Sequence, residues 1–101
     1  MRKIIHNNNE LKLKLATYFK GDRICIKLLD KKDGMHYMTA TVNMPEVDLK
    51  HDEVLIKDYS ENEGILEALI RAEVISDPID VVSAGFVEVF KCKLLINAED
   101  I

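Results

Sequence analysis

A period of two constrains this chain more than any other feature. Residues 10–19, ELKLKLATYF, set Leu11, Leu13 and Leu15 against Lys12 and Lys14. Residues 23–30, RICIKLLD, place Ile24, Ile26 and Leu28 on one side, and residues 35–44, MHYMTATVNM, do the same with Met38, Ala40, Val42 and Met44. Successive side chains of a strand point to opposite faces, so such segments bury one face and wet the other. KGD at 20–22 supplies one turn, and the Asp-Gly of KKDG at 31–34 is a hairpin signal. The first half therefore predicts a three-stranded antiparallel meander. Pro45 ends it, because proline has no N–H to give to a ladder.

The pattern then changes. Residues 46–52, EVDLKHD, form an acidic connection, and residues 53–59 carry a short fourth strand with Val54, Leu55 and Ile56. Ser60 followed three residues later by Glu63 fits a helix capping box, with Glu61 in the first turn where the macrodipole favours negative charge. Ile65, Leu66, Leu69, Ile70 and Ala72 keep helical spacing, and the helix is expected to end near Ile75, ahead of Pro78. Capping has no use for Gly64, which predicts a close approach by something else. Residues 79–82, IDVV, suggest a short strand and SAG at 83–85 a turn. The last strand, 86–96, sets Phe86, Phe90, Cys92 and Leu94 on one side, with Val87 and Val89 on the other, which suggests a central strand covered on both faces or a bulge. The expected fold class is α+β: an antiparallel sheet of five to six strands with one helix on one face, in a single domain over 1–101, with 1–9 and 97–101 as flexible tails.

At 101 residues the chain suits one domain with its own core. No 18-residue apolar run offers a membrane span, and the start, MRKIIHNNNE, lacks the apolar stretch of a secretion signal. The two cysteines, Cys25 and Cys92, each lie inside an apolar run and read as reduced core residues of a cytosolic protein. Neither CxxC nor HxxxH spacing occurs, so no metal and no cofactor is assigned.

The search for catalytic chemistry yields no candidate. His6, His36 and His51 have no neighbouring nucleophile in a motif, and the four glycines are scattered rather than gathered into a phosphate-cradling loop. A non-enzymatic role follows. Charge is the more informative feature. Residues 1–35 hold nine Lys and Arg against four Asp and Glu; residues 36–80 hold three against eleven. Two candidate surfaces result. Glu46, Asp48, Asp52, Glu53, Asp58, Glu61 and Glu67 could meet a basic protein partner. Lys12, Lys14, Arg23 and Lys27, with Tyr18, Phe19 and Tyr37 nearby, could track a nucleic-acid strand. A sponge for a signalling nucleotide is a third reading, without a phosphate motif behind it.

Residues 40–75, ATVNMPEVDLKHDEVLIKDYSENEGILEALIRAEVI, and the SAGFVEVFKCKLL ending resemble an uncharacterised family of small accessory proteins. Phages, plasmids and conjugative elements of Gram-positive and gut bacteria carry them. The resemblance covers about half the chain and carries over no site residue. It implies a mobile-element protein that blocks a host defence complex, most specifically a CRISPR–Cas effector. With the acidic block it predicts an inhibitor binding a host protein complex. Homodimerisation through a sheet edge stays open.

Overall fold

A computed structural model describes residues 2–97. The architecture is α+β with antiparallel pairing throughout and a single α-helix, its strands divided between two sheets. Strands β1 (Ile4–His6), β2 (Asn9–Thr17), β3 (Ile24–Asp30) and β4 (His36–Thr39) form the first, in that order. Strands β5 (Glu53–Lys57), β6 (Asp80–Ala84) and β7 (Val87–Lys93) form the second, in the order β5-β7-β6. Helix α1 (Ile65–Arg71) follows a 3-10 turn at Ser60–Asn62.

Residues 40–42 join the sheets. The Ala40 amide donates to the Ile26 carbonyl at 2.9 Å, while the Ala40 carbonyl accepts the Lys57 amide at 2.8 Å and the Val42 amide donates to Leu55 at 3.1 Å. The segment after β4 thus serves β3 on one side and β5 on the other. Alternation stops there: both Ala40 and Thr41 are buried, and the Thr41 hydroxyl accepts the Ile26 amide at 3.2 Å. The core lies between the inner faces. Leu13, Ile26 and Leu28 come from the first sheet, Val54, Ile56 and Cys92 from the second, and Ile65 and Leu69 from the helix. In β5, Val54, Leu55 and Ile56 are all buried, and in central β7 Val89 is fully buried on the face opposite Cys92. Burial of both faces explains why these runs lack a polar alternation.

Four expectations are corrected. Residues 4–6 are not tail: Asn7 and Asn8 take φ +49° and +65°, the two positive values a tight hairpin turn needs, and fold Ile4 onto Leu11. Residues 98–101 of the expected second tail lie outside the described residues. The helix begins at Ile65, not at Ser60, because Ser60 itself has φ +55° and makes no side-chain cap. It stops at Arg71, since Glu73 turns left-handed at φ +64°. The Glu73 and Val74 amides then return to the Ile70 and Leu69 carbonyls, both at 3.0 Å, as in a Schellman ending. Phe86 does not line the core. It shares the two-residue β6–β7 turn with Gly85 at φ +69° and is fully exposed.

Candidate functional site

The junction at 58–64 shows how polar side chains here are used. Asp58, not Ser60, caps α1: its Oδ1 accepts the Gly64 and Leu66 amides, each at 3.0 Å. Glu63 offers no reciprocal side-chain bond; its amide donates to the Ser60 carbonyl at 3.1 Å. Gly64 has φ +94°, and a Cβ placed there would stand 3.7 Å from the His6 ring. The close approach expected at Gly64 is not found: the His6 ring is at ordinary van der Waals distance, and the positive φ is what favours glycine. His6 is buried. Its Nε2 lies 2.7 Å from the Glu63 carbonyl, which can only accept, so this nitrogen donates. Its Nδ1 lies 3.1 Å from the Tyr37 hydroxyl, which also accepts Asn9 Nδ2 at 3.3 Å. Both ring nitrogens hold the fold, which leaves none to act on a substrate. His36 and His51 are exposed on separate elements.

The acidic residues do not converge as free carboxylates. Glu53 is buried and accepts the Lys50 amide at 2.8 Å. Asp58 caps the helix. Glu61 pairs with Lys57 at 3.0 Å, Glu67 with Arg71 at 2.6 Å and Asp52 with Lys93 at 3.9 Å. Its own backbone N–H, and then Lys57, hold the Glu61 carboxyl below the ordinary range. Glu46 and Asp48 are the exposed members without such a partner among the described residues. No His, Cys, Asp and Glu group among the described residues could hold a metal ion. Both cysteines are free and buried, and burial, with Asp77 adding, pushes the Cys92 thiol up to about 12.

The basic residues behave differently. Arg23 leaves the set: its guanidinium donates to the Met44 carbonyl at 2.7 Å and the Val47 carbonyl at 2.5 Å, pinning the loop after Pro45. Lys12, Lys14 and Lys27 share the outer face of the first sheet. Register places Lys14 directly opposite Lys27, and none of the three makes an ion pair among the described residues. Around the corner a groove of about 250 Å³ along β2 is lined by Arg2, Lys3, Lys12 and Lys31. Glu10 lies within it, 2.7 Å from Lys31 and 3.8 Å from Lys3. The hydrogen bond from Lys31, with the charges of Lys31 and Lys3, holds the Glu10 carboxyl below the ordinary range.

The aromatics also divide. Tyr18 turns inward, its hydroxyl 2.8 Å from Thr41 Oγ1, and Tyr37 is committed to His6. Phe19 alone of the three is fully exposed. Sequence reading missed the His6–Tyr37 link, since side-chain partners 31 residues apart leave no local signal, and the Asp58 cap, which depends on the left-handed turn at Ser60. The Lys14–Lys27 opposition was within reach, because the turn at 18–23 sets the register.

No protein-family model matches the chain, and searches of curated proteins and of solved structures return no match. The architecture defines a small α+β protein whose first sheet carries Lys12, Lys14 and Lys27 on its outer face, free of ion pairs among the described residues.

Proposed function

We propose that this chain is a non-catalytic binding protein whose outer first-sheet face takes the phosphate backbone of a nucleic acid. The observation that carries this is Lys14 directly opposite Lys27, neither of them in an ion pair among the described residues. Like charges facing each other across a ladder are destabilising, and a bound polyanion removes the penalty. Lys12 extends the pair along β2, about 7 Å from Lys14 at the usual strand rise. The groove beside it adds little charge, since Arg2 pairs with Glu73, and Lys3 and Lys31 share Glu10. The engagement of His6, Glu53 and Asp58 in holding the fold supports binding rather than catalysis.

The reading that starts from the acidic block, inhibition of a CRISPR–Cas effector in the bacterial cytoplasm, draws less support. Its exposed, unpaired carboxylates reduce to Glu46 and Asp48 on one loop. A mobile-element role suits either reading. A mobility shift with short oligonucleotides at low salt tests the proposal. Lys14→Glu with Lys27→Glu should abolish the shift, while Lys93→Glu, a charge reversal on β7 of the second sheet, should not. Equal effects of both would sink the assignment of this face.

A further inference from the structure

The turn at the end of β2 carries a feature that the lysine face does not account for. Phe19 is 102% exposed, beyond what an extended chain presents, so it contributes nothing to the core. The turn that displays it is nevertheless tied down from several sides. The Tyr18 amide donates to the Arg23 carbonyl at 2.8 Å and closes the turn. The Tyr18 hydroxyl is held at Thr41, 2.8 Å away, which turns Tyr18 in and its neighbour out. The Lys20 carbonyl accepts Asn43 Nδ2 at 3.3 Å, and Arg23 grips the Met44 and Val47 carbonyls. Gly21 at φ +83° and Asp22 at φ +51° complete a fixed path. A large aromatic ring is thus held in water by a braced turn. A merely tolerated surface phenylalanine requires no such bracing.

We infer that Phe19 is a stacking platform for an unpaired base, and that the ligand of the cationic face is single-stranded nucleic acid. The inference rests on the phosphate-binding reading above. Phe19 lies in the turn of the hairpin that carries Lys14 and Lys27, two residues past the end of β2 and at most about 18 Å of chain from Lys14. A strand tracked by Lys12, Lys14 and Lys27 can therefore reach the ring. Every base has a π face, so an isolated ring binds bases without reading their sequence. A duplex keeps its bases stacked on each other and offers Phe19 only its terminal pairs. Single-strand preference follows from the ring, backbone affinity from the lysines.

The test is fluorescence anisotropy with labelled oligothymidylate and a duplex of the same length, at equal low salt. The intact protein should bind oligothymidylate more tightly than the duplex. Phe19→Ala should weaken single-strand binding about tenfold and leave duplex binding unchanged. Phe86→Ala, which removes an equally exposed ring from the other sheet's hairpin, should change neither. Since neither ring packs in the core, both variants should fold, which circular dichroism checks. Equal affinity for the two nucleic acids, or a Phe19→Ala variant that binds as the intact protein does, overturns the single-strand inference and leaves the cationic reading standing. No binding of either nucleic acid overturns both.

Discussion

The Tyr37 hydroxyl meets His6 Nδ1 at 3.1 Å, with the two rings edge to face at 5.7 Å, although the residues belong to the two outer strands of the first sheet. The pairing spans the concave side, and the turn before α1 completes it: His6 Nε2 donates to the Glu63 carbonyl and Asn62 Nδ2 donates to the Thr39 carbonyl at 2.9 Å. Asn62 is buried, so its hydrogen bond is an obligatory part of the closure. Tyr37→Phe keeps the ring packing but leaves His6 Nδ1 without a partner and Asn9 Nδ2 with the Asn7 carbonyl alone. It should cost about 1–2 kcal/mol in urea unfolding, against about 3 or more for His6→Ala, which also opens a cavity. Equal losses would show that the hydroxyl, and not the ring, holds the closure.

The helix start separates two side chains that look equally fit to cap it in sequence. Asp58→Ala removes the acceptor of two amides and should cost about 1–2 kcal/mol, while Ser60→Ala should stay within about 0.5 kcal/mol. Gly64→Ala should cost about 1–2 kcal/mol, because φ +94° strains any residue with a Cβ even though the His6 ring is at ordinary van der Waals distance. At the other end Glu73→Gly should gain about 0.5–1 kcal/mol, less whatever the exposed Arg2–Glu73 pair contributes. Thermal or denaturant unfolding of the four variants checks the order.

Alkaline pH provides an independent probe. Burial pushes the Tyr18 phenol from 10.0 up to about 12, against the Thr41 hydrogen bond and helped by Cys25. Between these values the unfolded chain has released the proton and the folded chain has kept it, so stability should fall as pH rises through that window. Tyr18→Phe should remove this part of the pH dependence. A stability profile unchanged by the substitution would place the phenol elsewhere.

The second sheet ends in β6, whose outer edge faces no further strand. The Val81 amide donates to Asp80 Oδ1 at 2.8 Å, so a carboxylate occupies an edge donor that a neighbouring chain would need. Val81 and Ile79 are about half exposed beside it. Charge placed on an edge strand is a known guard against edge pairing. Asp80→Ala should raise self-association in sedimentation at increasing concentration. A variant as monomeric as the unsubstituted chain would show that the edge needs no guard.

Much of the fold was legible. Period two in 10–39, the Asp-Gly turn and the doubly apolar run at 87–89 led to β2, β3, β4 and central β7. What misled were residues whose role depends on a remote partner. Asn7 and Asn8 looked like a polar tail, yet asparagine tolerates positive φ, and the alternating Ile4 and His6 before them signalled a hairpin. The capping box at Ser60 was a valid local pattern. Asp58 outcompeted it because the chain turns at Ser60 and brings the carboxylate just after β5 over the helix start. Composition grouped the acidic block, but each pairing geometry is tertiary, and it distributed those carboxylates among caps and ion pairs. The cationic face survived because alternation alone puts Lys12, Lys14 and Lys27 on one side.

Salt dependence tests the central claim most directly. Displacing counterions from a single strand makes log K fall with log salt, with a slope of about −0.7 per phosphate neutralised. The account predicts a clear negative slope for oligothymidylate. Its magnitude should shrink by about 1.4 when both Lys14 and Lys27 become Gln, about 0.7 for each lysine that no longer meets a phosphate. A slope that the double substitution leaves unchanged would contradict it.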